Sequence, residues 1–262
     1  MTADPNLTTS PASLHPERDF SFRRAFIRHW RDSLRHYGLW RTLKQEIDAL
    51  FRCLREFLPD RRKAMYGDLD YDWDHMVDTT RANVPFRTQL AAALTGHQYF
   101  PSEPWLFDQI MQALPITFSE FIFVDMGSGK GRTLLMAATR GFRRAVGVEY
   151  MPALNRVAQS NIQKFLSEHP DCVTRIESVC LDARDFDFPV EPLVVYLFNP
   201  FPEPVLAAVL DKLRMSIMEH PRSLYVAYRY LEFESLLKNC DWLEKISGTE
   251  QWAVYGNRRD RA

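Results

Sequence analysis

The chain has 262 residues, of which 46% are hydrophobic and 26% are charged, and its formal net charge at pH 7 is -1. This composition is typical of an ordinary soluble globular protein, and the near-neutral charge excludes an overall bias toward nucleic acid or acidic lipid. The length suits one domain with an extension, or two small domains.

The cysteine pattern and the apolar runs indicate a reduced, cytoplasmic protein. Cys53, Cys172, Cys180 and Cys240 are widely spaced, with no CxxC pair and no histidine arranged for zinc. We therefore expect buried free thiols and no metal site. The N-terminus has no apolar core of a signal peptide, and nowhere do about 18 apolar residues follow one another, so we expect no transmembrane segment.

The region before the main domain divides into two parts. Residues 1–19 are rich in Pro, Ser, Thr and Asn, which predicts a disordered tail, and residues 20–96 are predicted to form a helical extension and a loop. Residues 18–63 hold thirteen Lys or Arg and six Asp or Glu. A basic helix of this kind would suit RNA phosphate or a membrane surface, but the favoured interpretation is a helix packed on the main domain with a solvated basic face.

Two segments lead from this extension to the main domain. "MYGDLDYDWDHMVDTTRANV", residues 65–84, is rich in aspartate but lacks the glycine and the distal glutamate of a calcium loop, so we expect a loop with an N-cap near Asp78 or Thr79. In the next segment we expect Ser102 to cap a helix. Its predicted apolar positions are Trp105, Phe107, Ile110, Met111 and Leu114.

From residue 121 onward, apolar strand patterns alternate with helical patterns. This alternation predicts parallel strands joined by right-handed crossovers, and therefore a doubly wound, Rossmann-like α/β sheet of seven strands. The last two strands follow one another directly, so we expect an antiparallel hairpin at one edge. The domain is predicted to span residues 97–262.

The stretch "VDMGSGKGR" places Gly127, Gly129 and Gly131 at the turn after the first strand, where doubly wound sheets bind ligands. A P-loop is excluded because Lys130 is followed by Gly131 instead of Ser or Thr. The spacing GxGxG does not match the dinucleotide pattern GxGxxG either. An S-adenosylmethionine loop fits, with Asp125 near the amino-acid end of the cofactor, and a tight turn without a ligand is the alternative.

Two further carboxylates follow the next strands. Glu149 ends the second strand, where an acidic side chain accepts hydrogen bonds from both ribose hydroxyls, an arrangement that fits NAD equally well. Asp182 ends the third strand, where its carboxylate can accept from an adenine amino group or simply cap the next segment. The coincidence of Asp125, Glu149 and Asp182 at three successive strand ends favours a cofactor site.

At these residues the chain resembles the class I, seven-strand methyltransferases that use S-adenosylmethionine. "VDMGSGKGR", "GVEY" and "LDARDF" are similar to the first three motifs of that family, and the resemblance covers about residues 97–257. The wider chain also resembles bacterial class I methyltransferases with a "YGDLDYDW…VDTT" segment. This resemblance does not indicate a substrate. The resemblance implies cofactor contacts in three groups: the methionine part at Asp125, Gly127, Ser128 and Gly129, the ribose at Glu149, and the adenine at Asp182 and Ala183.

The fourth strand runs into "LFNPF", which is similar to the (Asn/Asp)-Pro-Pro-(Tyr/Phe) motif of methyltransferases that act on nitrogen, with one proline missing. The carbonyl groups of Asn199 and Pro200 could accept from an N–H₂ group and so orient its lone pair toward the methyl carbon. Phe201 could stack on the acceptor or wall it off. The alternative is a strand-ending turn in which Asn and Pro are only good turn formers.

The segment "YFPSEP" resembles a loop of seven-strand protein-lysine methyltransferases that closes over the cofactor. Tyr99, Ser102 and Glu103 are the matching residues, which makes Tyr99 a candidate catalytic residue and Glu103 a candidate cofactor ligand. Protein lysine is therefore the favoured acceptor, although "FNPF" departs from the Asn-Asn-Phe of the histone enzymes. A small-molecule amine or hydroxyl, an RNA base reached through the basic helix, and a non-catalytic cofactor-binding scaffold remain alternatives.

Overall fold

The structure, a computed structural model, describes residues 69–80, 101–198 and 201–258, together with positions 31, 34, 35, 38, 40 and 44. The predicted tail at 1–19 lies outside the described residues, and so does the predicted basic helix at 20–58 apart from those six positions. Within the described ranges, no helix is both long enough and apolar enough to cross a membrane.

Seven strands form one sheet in the order β3-β2-β1-β4-β5-β7-β6. Strands β1 to β5 pair in parallel, whereas β7 runs antiparallel to both of its neighbours, β5 and β6. The doubly wound sheet and its antiparallel C-terminal hairpin are therefore confirmed. The strands are β1 (Ile122–Met126), β2 (Arg144–Glu149), β3 (Arg175–Cys180), β4 (Leu193–Phe198), β5 (Leu224–Arg229), β6 (Leu243–Gly248) and β7 (Trp252–Asn257).

Helices cover both faces of the sheet. Side chains of β1 alternate between two apolar clusters. Phe123 packs with the helix before β1 and with the helix that follows β1, whereas Ile122 and Val124 pack with the long helix after β4. Burial on both faces explains why parallel strands read as continuous apolar runs. The helices are α1 (Leu69–Asp74), α2 (Pro104–Gln112), α3 (Arg132–Thr139), α4 (Pro152–Glu168), α5 (Glu203–Glu219) and α6 (Glu234–Lys238).

The start of α2 differs from the prediction in two respects. Glu103 occupies the N-cap position and makes no side-chain cap bond, so the predicted cap by Ser102 is wrong. The Ser102 hydroxyl lies instead 3.0 Å from the hydroxyl of Tyr196 on β4, a buried polar group that needs a partner. Trp105 is 55% exposed and does not join the core, because the apolar face of α2 is centred on Phe107 and Ile110.

The aspartate-rich segment is not simply a loop. Its described part begins with the short helix α1, and Asp72 of this helix accepts from the backbone N–H groups of Thr79 and Thr80. The predicted cap near Asp78 or Thr79 stays a prediction, because the residues that would follow it, 81–100, lie outside the described residues.

The thiols are less buried than predicted. Cys180 is exposed and Cys172 and Cys240 are partly buried. Cys180 ends β3, which is an edge strand of the sheet with only β2 beside it, so no neighbouring strand covers it. Cys53 lies outside the described residues.

Candidate functional site

The carboxyl ends of the parallel strands meet at one edge of the sheet, and the strand order reverses between β1 and β4. Doubly wound folds bind their ligands at this reversal. Asp125 is the penultimate residue of β1, Glu149 is the last residue of β2, and Asp182 follows β3 by two residues. The backbone N–H of Leu181 donates to the Glu149 carbonyl at 3.1 Å, which ties the ends of β2 and β3 together.

The glycine loop after β1 has the backbone geometry that only glycine adopts readily. Gly127, Gly129 and Gly131 have φ values of 94°, 55° and 83°, all in the left-handed region. The N–H groups of Gly127 and Ser128 both donate to the Val148 carbonyl of β2, at 2.8 and 3.2 Å. The loop therefore lies directly over the end of β2, with bare backbone toward the site.

Glu149 links the loop to the end of β2. One oxygen of its carboxylate accepts from the backbone N–H of Gly129 at 2.9 Å and the other from that of Met151 at 2.7 Å, and the Tyr150 backbone N–H hydrogen-bonds to the same carboxylate. A carboxylate has about four acceptor sites, so this one keeps capacity for a further donor. Burial raises the pKa of Glu149 to about 7, against the opposing effect of these backbone hydrogen bonds.

Asp125 is a second buried acid beside the loop, with 3% of its surface exposed. Its carboxylate accepts from the hydroxyl of Thr133, in the first turn of α3. Burial raises the pKa of Asp125 to about 7, the Thr133 hydrogen bond opposes this shift, and the negative charge of Glu149 adds to it. The two acids thus share one low-dielectric site in which a hydrogen-bond donor or a cation would be favoured.

Asp182 caps the short 3₁₀ helix Ala183–Asp185. Its carboxylate accepts from the Arg184 backbone N–H at 3.0 Å and from the Arg184 guanidinium at 2.9 and 2.7 Å. The capping role, considered from the sequence as an alternative, is therefore present. These bonds use most of the acceptor capacity of the Asp182 carboxylate. Ala183 is buried beside it.

Glu103 lies at the edge of the site near the end of β5. It is ion-paired with Arg229, whose guanidinium lies 3.8 Å from the centre of the Phe198 ring. Arg229 ends β5 and Phe198 ends β4. The pair therefore joins the start of α2 to the strand ends that precede the predicted acceptor motif.

The predicted acceptor residues are described only in part. Tyr99, Asn199 and Pro200 lie outside the described residues. Phe201 is 9% exposed and belongs to the apolar cluster beneath α5.

Three functional positions were missed in the sequence. A Cβ on Gly147 of β2 would lie 2.5 Å from Ser128 Oγ, so glycine is required there for the loop to lie against the strand. Lys130 and Arg132 are almost wholly buried, at 1% and 2% exposure. The Lys130 ammonium donates to the Asp78 carboxylate at 2.8 Å and is thus paired within the protein. The sequence contains a signal for Gly147, because this glycine lies within an unbroken apolar strand pattern. It contains no signal for the burial of Lys130 and Arg132, because their partners lie about 50 residues away in the chain.

No protein-family model matches the sequence, and no curated protein matches it. Solved structures do match: the ribosomal protein L11 methylase of Lactobacillus delbrueckii subsp. bulgaricus is 14% identical, with 60% of this chain and 76% of that chain covered and a TM-score of 0.40. An RNA methyltransferase of Salinibacter ruber, in complex with S-adenosylhomocysteine, is 20% identical, with 60% and 91% covered and a TM-score of 0.36.

A third match is a Methanococcus maripaludis protein assigned as an S-adenosylmethionine-dependent methyltransferase. It is 17% identical, with 61% of this chain and 86% of that chain covered and a TM-score of 0.44. All three are methyltransferase structures, but at such identities and TM-scores they do not decide a substrate. What this chain does has to follow from its own site.

Proposed function

We propose that the chain is an S-adenosylmethionine-dependent methyltransferase. The observation that carries the proposal is the Glu149 carboxylate at the end of β2, held by backbone N–H groups that include those of Gly129 and Met151 and still able to accept from a ligand hydroxyl. A ribose offers two such hydroxyls side by side. The adjoining loop of three left-handed glycines lets a ligand approach bare backbone.

The residues fit the cofactor in a second respect. Ser128 lies in the middle of the glycine loop with 5% exposure, and its hydroxyl has no hydrogen-bond partner within the described part of the chain. A buried hydroxyl without a partner costs free energy, which a polar ligand group would recover. In this assignment Asp125, Gly127, Ser128 and Gly129 hold the methionine part, Glu149 the ribose, and Asp182 and Ala183 the adenine, with Glu103 at the rim.

NAD is the competing ligand, because a carboxylate at the end of β2 also suits its ribose. Two features favour S-adenosylmethionine. The loop spacing is GxGxG, and Asp125 places a second buried carboxylate at the loop, where a pyrophosphate would meet like charge. An amino-acid ammonium group would instead meet opposite charge.

The bound cofactor supplies an electrophilic methyl group on its sulfonium. The task of the protein is to hold an acceptor lone pair in line with that methyl carbon and to keep water away. We assign orientation of the acceptor to the carbonyl groups of Asn199 and Pro200, which follow β4, and exclusion of water to the buried Phe201. Tyr99 is assigned to the acceptor side as well.

An amine nitrogen is the acceptor that this assignment favours, and protein lysine is the first to test. A lysine must be neutral to act as a nucleophile, and desolvation against aromatic side chains lowers its pKa. A small-molecule amine and an RNA base are the other outcomes.

The test is incubation of the full chain with methyl-tritiated S-adenosylmethionine and host lysate, followed by separation of protein, RNA and small molecules. We expect label in protein, at lysine after hydrolysis, and its loss with the Asn199→Ala variant. Label in RNA or in small molecules would replace lysine as the acceptor. Cofactor binding without transfer to any fraction would favour the non-catalytic scaffold.

A further inference from the structure

Residues 72–80, called the anchor segment from here on, contact the end of the glycine loop that leads into α3. The segment reaches both residues that flank Gly131: Lys130 before it and Arg132 after it. Both cations are almost wholly buried, at 1% and 2% exposure, and each has an aspartate of the anchor segment as its charge partner.

The Arg132 half of this contact is a closed hydrogen-bond network. Asp72 accepts from the N–H groups of Thr79 and Thr80, at 2.9 and 2.6 Å, and from the Thr79 hydroxyl. Arg132 Nε donates to the Thr79 hydroxyl at 2.7 Å, and Arg132 Nη2 lies 3.3 Å from Asp72 Oδ1 and also donates to the Thr80 hydroxyl. The guanidinium also lies 4.7 Å over the ring of Tyr71.

On the Lys130 side of this contact, the side-chain amide of Asn161 connects Asp78 to Lys130. Asn161 of α4 accepts from the Asp78 N–H at 3.0 Å and donates to the Asp78 carbonyl at 2.9 Å. The same amide donates to the Lys130 carbonyl at 3.0 Å, and the Lys130 ammonium donates to the Asp78 carboxylate at 2.8 Å. Backbone and side chain of Lys130 are thus both fixed.

A loop with three glycines loses much conformational entropy when it becomes ordered. Contacts that fix it before the ligand arrives reduce the cost of binding. Lys130 and Arg132 lie on either side of Gly131, which is the N-cap of α3 with φ of 83°. Fixing both neighbours therefore fixes the conformation of the residue between them.

We propose that the anchor segment is a positioning element of the cofactor site, with Asp72 and Thr79 holding the glycine loop, through Arg132, in its binding conformation. This rests on the proposed function, because the ligand is the cofactor. Neither residue touches the cofactor in this account. The segment precedes residue 97, so the cofactor-binding unit includes part of the chain before the predicted domain.

A purely structural role makes a different prediction. A contact that only stabilises the fold lowers the free energy of unfolding but leaves the affinity of the folded protein unchanged. A positioning contact lowers cofactor affinity in protein that is fully folded and loosens the loop locally. Two readouts separate the roles: titration calorimetry with S-adenosylhomocysteine, and hydrogen exchange of the peptide that covers residues 127–132 in cofactor-free protein.

The experiment uses two matched pairs in the full chain. Thr79→Val removes the hydroxyl at constant volume, and Thr79→Ser keeps it. Asp72→Asn removes the charge that faces Arg132, and Asp74→Asn makes the same change at an exposed position of the same helix. We expect Thr79→Val and Asp72→Asn to raise the Kd for S-adenosylhomocysteine by about tenfold or more and to speed exchange in the loop. Thr79→Ser should recover most of the affinity, and Asp74→Asn should remain within about twofold of wild type.

Unchanged affinity and unchanged loop exchange in folded Thr79→Val would overturn the inference, and this pair decides the matter if Asp72→Asn does not fold. Absence of S-adenosylhomocysteine binding by the wild type would instead overturn the proposed function. Exchange in the cofactor-free loop would still report whether the anchor segment fixes it.

Discussion

The backbone N–H of Gly129 donates to Glu149 Oε2 at 2.9 Å, so a single carboxylate joins the glycine loop to the end of β2. The opposite oxygen accepts from Met151 at the start of α4. Glu149 therefore has two roles in this account: it holds the loop in place and presents its remaining acceptor sites to the ribose.

Replacement of Glu149 tests the ribose assignment. Glu149→Ala should weaken S-adenosylhomocysteine binding by about 1–3 kcal/mol, because the ribose hydroxyls and the Gly129 N–H lose their acceptor in a buried site. Glu149→Gln keeps one acceptor oxygen and should have an intermediate affinity. Glu244→Ala, at an exposed position of the outermost strand β6, is the control. Wild-type affinity in folded Glu149→Ala would refute the assignment.

The raised pKa values of Asp125 and Glu149 predict how stability depends on pH. Both acids have a pKa of about 7 in the folded protein, above their ordinary values of 3.8 and 4.5. The folded state then binds protons more tightly than the unfolded chain, so the stabilising contribution is fully present below the ordinary pKa and is lost as pH rises toward 7. Denaturant unfolding of cofactor-free protein from pH 5 to 8 measures this.

The informative quantity is the difference between wild type and Glu149→Gln, which removes one of the two titrating groups. We expect the free energy of unfolding of the variant to increase relative to that of the wild type as pH rises through this interval, because only the wild type loses the contribution of Glu149. A difference that is independent of pH would show that Glu149 does not titrate abnormally.

Gly147→Ala tests the close approach of the glycine loop to β2. A Cβ at this position would lie 2.5 Å from Ser128 Oγ and 2.7 Å from Ser128 Cβ, inside the loop itself. We expect a loss of about 1–3 kcal/mol in stability together with weaker cofactor binding. In the control, Gly256→Ala, the new Cβ would meet chiefly the tip of the Ile246 side chain, which can move. Equal behaviour of the two variants would contradict the packing argument.

Asn199→Ala tests the acceptor assignment and not the cofactor assignment. The variant removes a carbonyl beyond the end of β4 but leaves the glycine loop and the three carboxylates intact. We therefore expect cofactor affinity within about twofold of wild type and a fall in turnover of about 100-fold or more, the effect of losing one positioned polar group. Asn199→Asp should be milder with an amine acceptor. Wild-type turnover in Asn199→Ala would favour an oxygen or carbon acceptor.

The sheet could be predicted from the sequence because its signals are local. The apolar strand patterns, the glycines after β1 and the direct succession of β6 and β7 each depend on neighbouring residues. Asp125 and Glu149 could be placed at one edge for the same reason, since parallel strands bring their carboxyl ends together.

What could not be predicted depends on partners distant in the chain. The sequence predicts Asp72 to be part of a polar loop, because its partner Arg132 lies 60 residues away in the chain. The sequence likewise predicts Ser102 to be a helix cap, because its partner Tyr196 lies on the distant strand β4. A polar residue beside a helix start predicts a cap. Only the assembled fold shows that the buried Tyr196 hydroxyl takes Ser102 as its hydrogen-bond partner.

Titration calorimetry of the 262-residue chain with S-adenosylhomocysteine, in parallel with NAD, tests the central claim most directly. The account predicts saturable binding of one S-adenosylhomocysteine per chain, a marked loss of that binding in Glu149→Ala, and no binding of NAD. No detectable S-adenosylhomocysteine binding by folded wild-type protein at about 1 mM ligand, the limit of weak specific affinity, would contradict it. Binding of NAD in its place would contradict it as well.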